Sequence, residues 1–345
     1  MIVSGFEGTC LNSRTEKLIA EQGIGGLILF ERNYENPKQL KKLIEDLQSL
    51  TAQNLAPLFI SVDQEGGRVA RLNEPFTQFP PMCCLGEANS DDLAYRFGLA
   101  MGKEMQAVGI NMDYAPVLDV HSNPENPIIG KRAISSNPDV VARLGCKIIQ
   151  GFKDAGTFPV GKHFPGHGDT SQDSHLTLPR VERSKESLEK IELVPFAQAF
   201  QEGLDVIMTA HVVYPAWDED SAATFSNYIL NDLLRKKMHF QGLVMSDDLE
   251  MQAVTQSPEE LPALAINAGV DLFLICHDLD KVTRLQDAMI DGIETGKIPH
   301  ETVDHSFNRI IKSKEKLTDD DEMDLEQILE ENQKLAEEMR SYLTE

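Results

Sequence analysis

The sequence is poorest in whatever would draw it to a membrane or to nucleic acid. Nowhere does it hold 18 consecutive apolar residues, so a membrane-crossing helix is not expected. Its first residues, MIVSGFEGTCLNSRTEK, lack the basic segment and long apolar run of a secretory leader, and the expected location is the cytoplasm. Positive charge is scarce: 32 Lys and Arg stand against 56 Asp and Glu, a net charge of −24. Such a chain repels phosphate backbones and anionic membrane surfaces. Cysteine is also sparse. Cys10, Cys83, Cys84, Cys146 and Cys276 are odd in number and form no CxxC pair, which speaks for buried, reduced thiols in a reducing compartment and against a disulfide framework or a structural zinc site. No GxGxxG follows a strand and no GxxxxGK[ST] is present, so nothing supports a nucleotide fold.

What the chain does have is length, 345 residues, and 41% hydrophobic content, enough for a large core. Eight short apolar runs recur: MIVSG, GLILF, PLFISVD, INMDYAPVLDV, FPVGKHF, DVIMTAHVV, GLVMSDD and DLFLIC. Most are rich in Val, Ile, Leu and Phe, as strands covered on both faces must be. Helical patterns separate most of them, clearest in NPKQLKKLIEDLQSL and in DLAYRFGLAMGKEMQAVG, which ends at Gly109, a C-cap residue type. Eight strands alternating with helices predict an α/β fold, a single (β/α)8 TIM-type barrel with room for irregularity. A doubly wound open sheet is the competing architecture. Residues 1–316 are assigned to the barrel and 317–345 to an acidic helical tail. From Thr318 to Glu345 there are eleven acids and two bases, and LEQILEENQKLAEEM repeats apolar residues at helical spacing. A solvated face is the simplest reading of that charge.

Polar residues collect where the apolar runs end. Asp63 closes LFISVD, Asp119 closes PVLDV, Lys162 and His163 lie in FPVGKHF, His211 in MTAHVV, and Asp247 in GLVMSD. In a barrel those ends form the catalytic mouth. Asp248 follows; it is read as beginning the turn and capping the following helix, and a capping role alone for Asp247 and Asp248 is the bland alternative. The densest run is GKHFPGHGDTSQDSH, Gly161 to His175. His163 and His167 are four apart, as in a zinc-binding helix, but Pro165 and Gly166 between them argue against a helix, and no HExxH glutamate accompanies them; no metal is expected. The loop does not follow a phosphate-binding pattern either, and its glycines are read as allowing a sharp turn and motion over a substrate. Acid–base chemistry remains. Asp173 and His175, at i and i+2, can face the same side, where the carboxylate would fix the imidazole tautomer and favour its protonated form. A chance histidine on a surface loop is the bland alternative. Asp247 opposite such a pair has the two-group logic of retaining glycoside hydrolysis. Arg71 in VDQEGGRVARL and Arg132 in NPIIGKRAIS, with Asp63, Lys162 and His163, are candidates for hydrogen bonds to sugar oxygens, each with a structural ion pair as its alternative.

The segments VDQEGGRVARL, KHFPGHGDTSQDSHLTLP and MSDDLEM resemble those of the glycoside hydrolase family 3 β-N-acetylhexosaminidases, in the family's order and spacing, over roughly residues 1 to 312. The likeness is strongest to the cytoplasmic bacterial branch that recycles peptidoglycan. The resemblance implies a (β/α)8 barrel that removes terminal β-linked N-acetylglucosamine from muropeptide fragments. It implies Asp247 as nucleophile, His175 as acid/base with Asp173 as its partner, and sugar contacts at Asp63, Arg71, Arg132, Lys162 and His163. GKRAIS around Arg132 departs from the commoner GDRSF pattern. A small amino-sugar glycoside is the expected partner, with no cofactor, no nucleic acid, no membrane, and a monomeric chain. Two rivals stand beside this reading: a phosphorylase on the same barrel, and a non-catalytic sugar-binding barrel.

Overall fold

Each of the eight apolar runs becomes a strand. In a computed structural model of the protein, which describes residues 1–51, 55–174, 176–317 and 323–343, the chain forms ten strands: β1 (Ile2–Ser4), β2 (Gly26–Leu29), β3 (Phe59–Val62), β4 (Met112–Asp113), β5 (Phe158–Phe164), β6 (Val206–Thr209), β7 (Val213–Tyr214), β8 (Asp218–Ala222), β9 (Leu243–Asp248) and β10 (Leu272–Ile275). Eight of them, all but β7 and β8, pair in parallel and in sequence order. β1 pairs with β10, Ile2 beside Phe273, and closes the barrel. The barrel architecture expected from the sequence is therefore the one observed. The antiparallel β7–β8 hairpin was not anticipated. Its strand DEDSA is largely polar and carries no buried-strand signal.

Local chemistry sets the helix ends. Asn36 accepts a hydrogen bond from Gln39 N, and Pro37 opens the helix Pro37–Ser49, whose Leu40, Leu43, Ile44 and Leu47 face the barrel. Ser90 caps the helix Asp91–Ala107, and Gly109 follows with φ +89°, a backbone region that glycine enters without penalty. The barrel interior is filled by Val3, Ile28, Phe59, Met112, Tyr114, Val160, Met208 and Met245, all buried. Each such side chain contributes roughly 1.5–3 kcal/mol. Buried, unpaired cysteines were expected throughout; Cys84, Cys146 and Cys276 fit, but Cys10 is exposed and Cys83 half-buried. The tail helix Leu325–Arg340 starts at Asp324, which caps it through Glu326 N and Gln327 N. It has two faces. Glu326, Glu330, Glu331 and Glu337 are solvated, while Leu335, Ala336 and Met339 pack against the helix Asp91–Ala107.

At the base of the barrel a fully buried carboxylate joins two outer helices to the sheet. Asp271 precedes β10. Its Oδ1 accepts from Nε and Nη2 of Arg309, and its Oδ2 accepts from Arg235 Nη2 at 2.9 Å and from Val244 N. Removing one partner of a buried ion cluster leaves the others charged and desolvated. Asp271→Ala should therefore lose about 3–5 kcal/mol of unfolding free energy. Urea titration checks this; a loss under 1 kcal/mol would place the arginines in solvent contact instead.

Candidate active site

The strand ends open onto one cavity of about 370 Å³. Its lining brings together Asp63 (after β3), Arg132, Lys162 and His163 (both on β5), Asp247 (on β9) and Arg71, six of the eight residues singled out from the sequence. Phe30, Arg68, Met251 and His277 also line it. Asp173 is half-buried; its carbonyl accepts from Leu176 N and Thr177 N, and its neighbour Ser174 lines the cavity. His175 lies outside the described residues. Among those residues, no group of three or more His, Cys, Asp and Glu side chains is placed to hold a metal ion.

Beneath the cavity lies a network that the sequence reading only half saw. Lys162 Nζ, with a side chain 2% exposed, sits 2.7 Å from Asp63 Oδ1 and 2.5 Å from Glu65 Oε1. Glu65 also receives a two-pronged contact from Arg132, Nε to Oε2 at 2.8 Å and Nη2 to Oε1 at 2.7 Å. Burial pushes the Glu65 carboxyl up, but Arg132 and Lys162 more than offset it, and the net result is a pKa far below the ordinary range. The Lys162 ammonium is opposed by its burial yet raised overall by Asp63 and Glu65. Two cations thus meet two carboxylates, and the floor is charge-balanced. Glu65 was in plain view within VDQEGG. No local pattern marks it, because its partners are 67 and 97 residues away.

A second carboxylate, Asp119, ties down the chain that carries His163. Its Oδ1 accepts from His163 N at 3.1 Å and His167 N at 2.7 Å, and its Oδ2 lies 2.6 Å from His163 Nδ1. Nδ1–H therefore donates to Asp119, and Nε2 faces Arg132 Nη2 at 3.5 Å. Desolvation brings His167 down to about 4, so it is neutral; its ring contacts the Thr170 and Ser174 hydroxyls at 3.0 and 2.9 Å. The glycines also serve close packing, and Gly166, at φ +140°, makes the turn expected of it. A Cβ on Gly168 would collide with the carbonyl of Val120, and one on Gly166 with the Glu192 carboxyl. Asp119 and His211, candidates for proton transfer by position alone, are occupied elsewhere. Asp119 is fully buried, and His211, 1% exposed, bonds Thr224 Oγ1 through Nδ1 and the Asp248 carbonyl through Nε2. Asp248 donates its N–H to Asp247 Oδ1 at 2.8 Å and accepts from Glu250 N within the turn after β9; it does not cap a helix as expected, because the next one is Leu261–Ala268, whose N-cap is Glu260. Burial and the charge of Glu250 push its carboxyl up to about 7.

With this geometry in hand, the likenesses to known proteins are specific. Residues 5–313 match the model of the glycosyl hydrolase family 3 N-terminal domain. The chain belongs to glycosyl hydrolase family 3. This family 3 hydrolase is 38% identical over 90% of its length to beta-hexosaminidase A of Pseudoalteromonas piscicida, of which it spans 56%. It is 39% identical over 83% of its length to the beta-hexosaminidase of Idiomarina loihiensis, spanning 87% of that protein. Among solved structures it resembles a β-N-acetylglucosaminidase from Paenibacillus sp. (TM-score 0.93, 38% identity, 99% of this chain and 67% of that one). It also resembles NagZ from Neisseria gonorrhoeae in complex with N-trifluoroacetyl-D-glucosamine (TM-score 0.84, 30% identity, 99% and 98%). It is a glycoside hydrolase of the β-N-acetylhexosaminidase group.

One buried acid of this hydrolase titrates in an accessible range. Glu192 lies behind Gly166 and is fully buried; its Oε1 accepts from Ser122 Oγ at 3.1 Å, and its Oε2 has no hydrogen-bond partner. Desolvation, then the charge of Asp119, raises it to about 8. Between the ordinary carboxylate range and pH 8 the folded chain holds a proton that the unfolded chain releases. Stability drawn from neutral Glu192 is thus full in acid and falls as pH rises, by at most about 1.4 kcal/mol per pH unit. Glu192→Gln cannot ionise, so its stability relative to wild type should climb from pH 5 to pH 8 and then level. Urea unfolding of both proteins at three pH values tests this, and a constant difference would mean Glu192 is ionised in the fold.

Proposed function

We propose that this chain is a retaining exo-β-N-acetylglucosaminidase that acts in the cytoplasm on muropeptide fragments from cell-wall turnover, with 1,6-anhydro-N-acetylmuramic acid as the aglycone. The observation that carries the reading is the charge-balanced floor of Asp63, Glu65, Lys162 and Arg132 opening onto the same cavity as Asp247. A floor of alternating donors and acceptors with no net charge suits a neutral polyhydroxyl ring. The volume is near the lower end of the roughly 300–1,000 Å³ usual for small-molecule sites, which suits one terminal sugar. Relatives named beta-hexosaminidase and β-N-acetylglucosaminidase support the same substrate class. Among the described residues no helix is long and apolar enough to cross a membrane.

In the proposed mechanism an Asp247 oxygen attacks the anomeric carbon. The bond from that carbon to the glycosidic oxygen breaks as imidazolium His175 gives its proton to the departing oxygen, with Asp173 favouring the charged ring. Water then loses a proton to neutral His175 and attacks the same carbon. The glycosyl–Asp247 ester breaks, and N-acetylglucosamine leaves with its configuration restored. Asp63, Lys162, His163, Arg132 and Arg71 hold the sugar. Asp247→Ala should lower kcat by about three orders of magnitude or more while the thermal transition persists. Proton NMR recorded before mutarotation should show the β anomer first; early α anomer would demote Asp247 to a general base.

The aglycone reading draws on two arginines. Of the thirteen in the sequence, Arg68, Arg71 and Arg340 make no ion pair among the described residues, and the first two line this cavity. Arg68 is exposed and donates to the carbonyl of Ile128; Arg71 has its Cζ 5.8 Å from the Phe30 ring centroid. Unpaired cations at the mouth of so acidic a protein suit a carboxylate on the leaving group. Arg68→Gln should raise KM for a carboxylate-bearing muramyl glycoside about three- to tenfold and leave chitobiose unchanged. The same assay with added inorganic phosphate tests the phosphorylase rival: N-acetylglucosamine 1-phosphate as product would displace the hydrolytic reading.

A further inference from the structure

The acidic helix Leu325–Arg340 reaches the loop that carries Asp63 and Arg71. Asn332, on its buried face, donates through Nδ2 to Glu104 Oε1 at 2.7 Å and to the Ala100 carbonyl at 3.0 Å. Glu104 is fully buried in the helix Asp91–Ala107, and its other oxygen accepts from Thr77 N at 3.1 Å. One residue on, the Gln78 carbonyl accepts from Arg340 Nη2. Gln78 itself turns inward and donates through Nε2 to the carbonyls of Phe76, at 2.8 Å, and Leu72, at 3.1 Å.

From there the contacts run to the cavity. Gln64, beside Asp63, accepts through Oε1 from Arg71 N at 2.7 Å and Leu72 N at 3.2 Å. Gly67 N donates to the Phe79 carbonyl at 2.8 Å, so the outgoing and returning limbs of the loop are stitched together. Phe79 is seated edge-on against Phe97 of the Asp91–Ala107 helix, ring centroids 5.2 Å apart. The returning limb is therefore held on two sides, by that helix and by the terminal one.

We infer that Asn332 and Arg340 are positioning residues for sugar binding: the terminal helix is a strut that sets the loop bearing Asp63, Glu65 and Arg71 through Glu104, Thr77 and Gln78. The inference rests on the proposed sugar-binding role of Asp63 and Arg71. A carboxyl buried away from water needs both its donors, and here one comes from the strut and the other from the loop. Losing the first frees the second to shift. Because the loop binds the ring and does not contain the nucleophile, the effect falls on affinity.

The test uses the full chain and an aryl β-N-acetylglucosaminide. Asn332→Ala should raise KM about three- to tenfold, and Arg340→Ala by less, with kcat within about twofold in both. Amide exchange in residues 72–80 should quicken in both. Met289→Ala, on the helix Leu279–Glu294, serves as a control that costs stability without touching the loop; its KM should be unchanged. Should Asn332→Ala fail to fold, Arg340→Ala carries the test, since that side chain is on the surface. Asp63→Asn separates the two layers of the argument. If it raises KM while both strut variants leave KM and exchange at 72–80 untouched, the strut is refuted. If Asp63→Asn itself leaves KM unchanged, the sugar-binding reading falls and the strut falls with it.

Discussion

Everything at the mouth of this barrel depends on a carboxylate that never meets solvent. Glu65, 1% exposed, is the shared counter-ion of Arg132 and Lys162. Without it two cations would be desolvated together in one buried floor, at a cost of several kcal/mol per ion. With it the floor carries no net charge and presents ordered N–H donors beside the Asp63 carboxylate. Such a floor is set before any ligand arrives, so binding need not pay to orient it.

The rest of the site is arranged around that floor in separate attachments. Asp119 fixes the start of the loop after β5 through two backbone N–H groups and the His163 ring. Asp247 sits on β9, its carboxylate bonded to the next backbone N–H. Catalysis by positioned charge requires this kind of rigidity, because groups that reorient during reaction lose part of what they stabilise.

Much of this was legible in the sequence, and for a physical reason. Buried parallel strands demand apolar runs, so the eight strands announce themselves, and the polar residues at their ends that line the cavity break those runs visibly. Asp63, Lys162, His163 and Asp247 were found in that way. Glu65, Asp119 as an anchor, and Glu192 were not, because their meaning lies in partners brought together by barrel closure. The packing role of the glycines of PGHG was hidden for a related reason. A glycine that permits motion and one that permits contact look alike until the opposing backbone, here Val120, is in place. The tail shows the same limit: its acids suggested a solvated helix, and one face is solvated, but Asn332 on the other face is indistinguishable from its polar neighbours until Glu104 is beneath it.

The double hold of Asp119 on His163 N and His167 N has an evolutionary corollary. The backbone is pinned on both sides of the Phe164–Pro165–Gly166 turn, so whatever follows His167 hangs from a fixed post. Changes further along the loop, past the tightly packed Gly168, are then separated by that post from the floor behind it. On the proposed mechanism, a barrel built in this way can exchange one proton-transfer loop for another, and with it one leaving group for another, while keeping the same sugar contacts.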